Sequence, residues 1–232
     1  IYAIDSHAVV IVNNYGTAVS FTGAKNYAYG ANATVGYTIA NTDSLSFTEW
    51  GDGNNDSPTR SITVLDDVTL TPVFGVIEYT VNATTDGNGT ITAPATLPVD
   101  VAYGQTVTIT AQANHGYDFV NWTNNVNTDV LTDPTIAPKV TGDVTWTANF
   151  EKTDYTVTTV VKDVAGNEQP TMATVTGAGD YEFEASATLS YTANDGFTFV
   201  KWIGEGAGEE STLASITFGV NNDTTIIAQF DT

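Results

Sequence analysis

The sequence predicts an all-β protein, and three observations support that fold class. Thr, Val, Tyr and Phe are abundant and suit the pleated, half-buried surface of a strand, while Gly, Asn, Asp and Pro recur between them as turn residues. Apolar and polar residues alternate with a period of two: Val107, Ile109 and Ala111 face one side, and the intervening threonines face the other. No segment sustains the 3.6-residue period of an amphipathic helix.

Aromatic residues recur along the chain and predict an internal repeat. The tryptophans at 50, 122 and 202 are 72 and 80 residues apart, and three phenylalanines follow them, each at the end of an alternating segment. The predicted core residues are Trp50, Trp122, Trp202, Phe74, Phe150 and Phe230. We therefore predict three tandem small β modules of about 75–80 residues. Their ranges are 1–75 (with 1–6 a leading strand or linker), 76–151 and 152–232.

Two short patterns describe the inside of each module. The heptads GYDFVNW (116–122) and GFTFVKW (196–202) are interpreted as strands that place Phe and Trp in a core, in preference to a Trp that stacks on a ligand. The segment 86–89, Asp-Gly-Asn-Gly, lies between two Thr/Val-rich runs and predicts a β-hairpin, because Asn and Gly tolerate positive φ. The links between modules, GVIE and EKTD, are too short to be free tethers, so we expect a semi-rigid rod.

The repeated residues resemble a known bacterial repeat. The matching residues of the second copy are Tyr79-Thr80-Val81, Gly116-Tyr117, Phe119, Trp122 and Gly142-Asp143-Val144-Thr145. Those of the third copy are Tyr155-Thr156-Val157, Gly196-Phe197, Phe199 and Trp202, with Glu184 where the pattern has a turn glycine. This pattern is similar to the divergent InlB B-repeats, close to the Listeria–Bacteroides repeat. The resemblance implies small β domains strung along secreted or surface-anchored proteins as spacers, adhesion modules or assembly modules, and it brings no catalytic residues with it.

The charge balance limits the classes of partner that the chain can bind. Charged residues make up only 14% of the chain, against about 25% in an average domain, and 27 acidic residues against 6 basic ones give a formal charge of −21. Such a surface repels phosphate and anionic headgroups, so we expect no nucleic-acid binding and no membrane insertion. The absence of Cys excludes disulfides and thiolate nucleophiles. Because the chain begins at Ile1 and not at Met, we interpret it as a processed or excised piece of a longer precursor.

Few sequence patterns indicate a metal site or a catalytic site. Asp52, Asn54 and Asp56 have the alternate spacing of a calcium loop, although the loop lacks its later glycine and acid, and a simple turn is the competing interpretation. Calcium is the one cofactor hypothesis. His7 and His115 lie in different copies without a neighbouring nucleophile and are predicted to be strand or turn residues. We therefore expect no enzyme activity.

Two functions are compatible with these patterns. The first is a non-enzymatic, extracellular structural protein of the cell surface, acting as a stalk or as a self-assembling fibre subunit whose partner is itself or a neighbouring module. The residues that would add a strand to a neighbour are Ile1, Tyr2, Ala3 and Ile4, and the competing interpretation of this segment is a linker. The alternative is an adhesin or carbohydrate-binding module that recognises a carbohydrate or a host protein, with exposed aromatic residues as its site. If Trp146 and the three repeated tryptophans are buried, only tyrosines such as Tyr2, Tyr15 and Tyr27 remain for stacking.

Overall fold

The computed structural model describes residues 5–204 and 210–232. Regular structure in this part is almost entirely β, which confirms the predicted all-β class; a 3₁₀ turn at Gly16–Ala18 interrupts it. No helix in the described part of the chain has the length and apolar character needed to cross a membrane.

The strands form three successive groups, here called the first repeat (6–76), the second repeat (78–152) and the third repeat (154–231). The first repeat contains β1 (Ser6–Ile11), β2 (Val19–Thr22), β3 (Lys25–Ala28), β4 (Asn32–Ile39), β5 (Leu45–Glu49), β6 (Thr59–Thr63), β7 (Val68–Leu70) and β8 (Val73–Val76). The second contains β9 (Glu78–Thr85), β10 (Gly89–Ala93), β11 (Val99–Ala102), β12 (Ile109–Ala113), β13 (Tyr117–Asn124), β14 (Thr135–Ile136) and β15 (Val144–Lys152). The third contains β16 (Asp154–Asp163), β17 (Ala173–Thr176), β18 (Gly179–Glu182), β19 (Ser186–Ala193), β20 (Thr198–Gly204), β21 (Glu210–Ser211), β22 (Ser215–Gly219) and β23 (Thr224–Asp231).

Each repeat folds its strands in the same order. In the third repeat one sheet has the order β18-β16-β23-β20-β21, with β16 and β23 parallel, and the other has the order β17-β19-β22. The second repeat has the corresponding orders β11-β9-β15-β13 and β10-β12-β14. The first repeat has β3-β1-β7 and β2-β4-β6, and its remaining pair is β5-β8. The internal sequence repeat is therefore also a repeat of topology.

The first repeat divides its last strand in two. In the third repeat β23 runs parallel to β16 and antiparallel to β20 over one continuous stretch. In the first repeat β7 makes the parallel pairing with β1 and β8 makes the antiparallel pairing with β5. Pro72 lies between β7 and β8, and a proline has no N–H to donate to a central ladder. The break explains why one strand becomes two here.

A β-bulge explains the Phe-x-x-Trp spacing of the motif. Residues three apart on a regular strand face opposite sides, yet Phe199 and Trp202 both contact the same core. The ladder between β20 and β23 shifts register between Phe199 and Lys201, and the ladder between β5 and β8 shifts between Phe47 and Glu49. One extra residue in the bulged strand turns the tryptophan back to the face of the phenylalanine.

The aromatic core is buried in all three repeats. Trp50, Trp122 and Trp202 are 0, 0 and 1% exposed, and Phe74, Phe150 and Phe230 are 7, 8 and 0% exposed. In the third repeat Phe199 lies 5.4 Å from both Trp202 and Phe230, measured between ring centroids, and it stacks on Tyr191 at 4.1 Å. The indole N–H of Trp202 donates to the carbonyl of Leu213 at 3.0 Å.

The hairpin prediction for 86–89 was wrong. The strands on either side of this turn, β9 and β10, belong to different sheets, so the turn is a corner that joins the two sheets of the second repeat. Asp86 fixes the corner: its backbone N–H donates to Ala148, and its carboxylate accepts the backbone N–H of Phe150 at 2.8 Å. Gly87 has the positive φ expected of a turn glycine, at 105°. The turn is hydrogen-bonded to β15, however, and β9 and β10 do not pair with each other.

The described residues form two compact units. The first contains the described residues up to Ala83, Pro94–Ile109 and Ile136–Trp146. The second contains Thr84–Ala93, Thr110–Thr135 and the described residues from Thr147 onward. Although the strands pair within repeats, the division between units falls inside the second repeat. The module ranges 1–75, 76–151 and 152–232 therefore stay a prediction.

Candidate functional site: the seams between repeats

The first seam joins the first repeat to the second and lies within the first compact unit. Its centre is Ile77, the residue between β8 and β9. The N–H of Ile77 donates to the carbonyl of Ser44 at 3.1 Å, in the turn before β5. The carbonyl of Ile77 accepts the N–H of Tyr103 at 2.9 Å, in the turn after β11. The linker residue is thus bonded on both sides through its backbone.

The second seam, within the second compact unit, repeats this arrangement. The N–H of Thr153 donates to the carbonyl of Gly116 at 3.0 Å, and the carbonyl of Thr153 accepts the N–H of Phe183 at 2.9 Å. Thr153 lies between β15 and β16, as Ile77 lies between β8 and β9. Because both bonds use backbone atoms, the linker side chain is free to change from Ile to Thr without loss of the connection.

Tyrosine hydroxyls add side-chain contacts to the first seam. The rings of Tyr79 and Tyr103 lie 6.3 Å apart between centroids. The hydroxyl of Tyr79 donates to the carbonyl of Asp43 at 3.0 Å, and Asn41 Nδ2 donates to the hydroxyl of Tyr103 at 2.7 Å. Desolvation and the nearby carboxylate of Asp43 raise the pKa of Tyr79. The hydroxyl therefore stays protonated, as its donor role requires.

In the second seam the Phe183 ring, which has no hydroxyl, packs on Gly116. A Cβ built on Gly116 would lie 2.3 Å from the ring carbon Cγ of Phe183. Gly116 also has φ +82°, a conformation that L side chains rarely adopt. His115 and Tyr117, on either side of Gly116, place their rings 5.5 and 5.7 Å from that of Phe183. The glycine that opens the repeat motif is therefore a contact residue of the seam.

The polar contacts of the second seam are short but exposed. Thr153 Oγ1 donates to Asp118 at 2.7 Å, and His115 Nε2 lies 3.1 Å from the carbonyl oxygen of Asn221. Lys152 Nζ donates to the carbonyl of Phe183 at 3.0 Å. Exposed polar and ionic contacts of this kind contribute little each, on the order of 1 kcal/mol or less. We infer that the backbone bonds and the packed rings hold the seam.

The turn next to the second seam carries backbone strain. Glu184 has φ +64°, whereas the corresponding positions of the other two repeats are Gly30 and Gly104, at φ +76° and +80°. Lys152 Nζ lies 3.5 Å from Glu184 Oε2, so the residue that replaces the expected glycine gains one ion pair at the surface.

The proposed calcium loop holds Trp50 in place. The indole N–H of Trp50 donates to the carbonyl of Asp56 at 2.8 Å. Arg60 donates to Asp52 at 2.7 Å, and the side chain of Asn54 bonds to Asp56 and to its N–H. Partial burial acts to raise the pKa of Asp52, but the bond from Arg60 and the N–H of Asn54 outweigh it and lower the pKa. Calcium binding by Asp52, Asn54 and Asp56 stays a prediction.

The two histidines, which were predicted to be strand or turn residues, lie in different repeats. His7 lies between 3.6 and 3.8 Å from carboxylate oxygens of Asp5, Asp66 and Asp67, in β1. His115 lies in the second seam, a role that the sequence analysis missed. In the described ranges no group of three or more His, Cys, Asp or Glu side chains is placed to hold a metal ion.

The aromatic residues considered for ligand stacking are buried or half-buried wherever the structure describes them. Trp146 is 5% exposed, and the other three tryptophans are more deeply buried. The hydroxyl of Tyr15 accepts the N–H of Phe74 at 2.9 Å, and that of Tyr27 donates to Gly23 at 3.0 Å. Both rings are half-buried. Tyr2, together with Ile1, Ala3 and Ile4, lies outside the described residues.

A known family of repeat domains matches two of the three repeats of this chain. Residues 79–154 and 167–232 each match the model of the divergent InlB B-repeat domain. No curated protein is significantly similar to the chain. A solved structure titled "The Bacillus anthracis TIE protein" aligns over 99% of this chain at 13% identity and a TM-score of 0.36, and this chain spans 50% of its length. So low a TM-score carries no argument here. The two matched ranges together make up more than half of the sequence, and the chain belongs to the divergent InlB B-repeat family.

Proposed function

We propose that the chain is a non-enzymatic structural segment of a bacterial surface protein, a stalk whose length and stiffness are its function. Membership of a family of surface repeat domains supports the location and the class. The observation that carries the proposal is the duplicated seam, in which Ile77 and Thr153 are each bonded on both sides by the same pair of backbone hydrogen bonds.

Stiffness follows from how the linkers are used. In repeat proteins each unit contacts its neighbours, and the stability of the array depends on those interfaces as well as on the units. Here no run of free linker residues separates β8 from β9 or β15 from β16, since one residue lies between the strands in each case. That residue is fixed to a turn of the preceding repeat and to a turn of the following one. A segment joined in this way transmits orientation from one repeat to the next.

The absence of a recognised chemical centre favours a structural role over catalysis. The matched family is one of surface repeat domains and is not a known enzyme family. Within residues 5–204 and 210–232, no three His, Cys, Asp or Glu side chains are grouped to hold a metal ion. Burial of the tryptophans weakens the carbohydrate-binding alternative, because stacking on a sugar needs an exposed ring.

A fibre version of the structural role assigns the segment Ile1 to Ile4 to strand addition on a neighbouring subunit. Asp5 separates these residues from β1, and their apolar character, with β-branched Ile1 and Ile4, suits a donated strand. Deletion of residues 1–4 should abolish assembly by this route, as seen by negative-stain electron microscopy. Normal fibres from the shortened chain would end the strand-addition version.

Distances measured across each seam test the stalk. Because the chain has no Cys, spin labels can be placed on introduced cysteines alone. Exposed pairs are Leu65 with Asp100 across the first seam and Val126 with Leu213 across the second. Fixed seams predict distance distributions as narrow as that of the control pair Val10 with Leu65, inside the first repeat. Broad distributions across either seam would contradict a stiff stalk.

A further inference from the structure

The third repeat has a cavity at one side of its two sheets. The cavity has a volume of about 470 Å³, within the range of roughly 300–1,000 Å³ that is typical of small-molecule sites. It lies where both sheets end, between β20 and β21 of one sheet and β22 of the other. Its apolar lining residues are Trp202, Leu213, Ile216, Phe218 and Ile226.

An ion pair occupies the corresponding place in the first repeat. Arg60 of β6 corresponds to Ile216 of β22, since each lies opposite the fourth residue of the neighbouring strand, β4 or β19. Asp52 and Gly204 correspond as well, because each follows the core tryptophan by two residues. Arg60 donates to Asp52 at 2.7 Å, and its side chain is only 15% exposed. In the third repeat Ile216 and Gly204 replace this ion pair, and both line the cavity.

A leucine occupies the corresponding place in the second repeat. Leu131 lies opposite Trp122, and the two residues exchange backbone hydrogen bonds of 2.7 and 3.1 Å. Ser211, which lines the cavity, lies opposite Trp202 in the same way. Residues directly opposite each other on antiparallel strands point to the same face of the sheet, so Leu131 and Ser211 both lie on the side of the core tryptophan. The smaller serine leaves space that a leucine would fill.

The lining favours a ligand that is uncharged and largely apolar. Among the described residues that line the cavity, none is charged. The polar groups near Trp202 already have partners: its indole N–H donates to the carbonyl of Leu213 at 3.0 Å, and the N–H of Leu213 donates to Ser211 Oγ at 3.3 Å. A charged ligand would lose its hydration without gaining a partner. An anion would also be repelled by the formal charge of −21.

We propose that this cavity binds a small uncharged molecule with an aromatic or aliphatic body, about the size of a naphthalene derivative. The ligand packs on Ile216, Phe218 and Ile226, and the small side chain of Ser211 leaves room for it. The Arg60 ion pair and Leu131 occupy the corresponding places in the other repeats, so the site belongs to the third repeat. The inference goes beyond the structural role proposed above and does not rest on it.

A methyl NMR titration of the intact chain with 2-naphthol tests the site. This probe has two fused rings and is uncharged at neutral pH. The expected result is saturable shifts of the methyl signals of Leu213, Ile216 and Ile226, while those of Leu65 in the first repeat stay in place. 2-Naphthoate has the same rings and a carboxylate, and it should bind about tenfold more weakly or less, because its charge would be desolvated without a partner.

Substitution of Ser211 separates the cavity from other apolar surfaces. Ser211→Leu introduces the residue of the second repeat and should weaken 2-naphthol binding by about tenfold or more, because the new side chain fills the cavity. Ser211→Ala, the matched control, removes the hydroxyl without filling the cavity and should leave binding within about twofold. A second pair uses exposed leucines, which are safe for folding: Leu213→Ser at the cavity should weaken binding, and Leu65→Ser in the first repeat should not.

Three outcomes would overturn the inference. The first is a titration in which the methyl signals of Leu213, Ile216 and Ile226 stay in place up to millimolar 2-naphthol. The second is wild-type affinity in Leu213→Ser, or in a Ser211→Leu chain whose dispersed methyl signals show that it is folded. The third is equal binding of 2-naphthoate, which would exclude a site for uncharged ligands. The stalk is tested separately, by the distances across the internal seams.

Discussion

Substitution of Gly116 by Ala perturbs the second seam at one atom and has a matched control in the same chain. Gly196→Ala places the same methyl group at the corresponding position of the third repeat, at nearly the same φ. Both variants incur the left-handed backbone penalty of about 1–2 kcal/mol. Among the residues that the structure describes, only the Gly116→Ala methyl group also meets a neighbour, because its Cβ would lie 2.3 Å from the ring of Phe183.

The difference between the two variants measures the packing of the seam. A carbon–carbon contact needs about 3.5–4.0 Å, so the Phe183 ring must move by more than 1 Å or the turn must shift. Overpacking of this kind costs about 1–3 kcal/mol. We therefore expect Gly116→Ala to lose about 1–3 kcal/mol more stability than Gly196→Ala.

Urea unfolding followed by tryptophan fluorescence measures both losses, at concentrations low enough to keep the chain monomeric. A third variant isolates the ring: in a Phe183→Ala background, the extra loss of Gly116→Ala should disappear. Equal destabilisation by the two glycine substitutions would refute the packing of Phe183 on Gly116, and so would an extra loss that survives removal of the ring.

Three further predictions concern individual residues. Trp202→Phe should destabilise the chain by about 1 kcal/mol more than Trp122→Phe in urea unfolding, because the Trp202 indole makes a hydrogen bond whereas Trp122 Nε1 has no partner among the described residues. Glu184→Gly should raise stability by roughly 1 kcal/mol, since relief of the left-handed strain exceeds the loss of one surface ion pair. Asp52 has a lowered pKa in the folded state, so its stabilisation is present above its unfolded pKa of about 3.9 and is lost as pH falls through the lower folded value. Asp52→Asn should therefore reduce the fall in melting temperature between neutral and acidic pH. If the fall is unchanged, the hydrogen bond from Arg60 to Asp52 does not contribute to stability.

The repeat and its strands were predictable because they depend on side-chain chemistry that the sequence displays. Alternating apolar residues and large aromatics predicted strands and their buried faces, and the tryptophans of all three copies are buried. The odd spacing of Phe and Trp in the motif was the signal of a bulge, since residues three apart on one strand share a face only if an extra residue intervenes.

The corner at 86–89 and the seams were not predictable in the same way. The turn residues of 86–89 fix local φ values but not the partner of the following strand, which depends on contacts from Asp86 to β15 more than 60 residues away. The bonds of Ile77 and Thr153 use backbone atoms that any residue except proline provides, so no residue type marks them. The one available signal was the glycine that opens the motif in the second and third copies.

Amide hydrogen exchange at the two linker residues tests the central claim most directly. If the seams are as described, the N–H groups of Ile77 and Thr153 are bonded to Ser44 and Gly116 and should exchange as slowly as amides in neighbouring strands. Exchange of both amides at the rate of an unstructured peptide, in a chain whose strands remain protected, would show that the repeats are tethered and not joined.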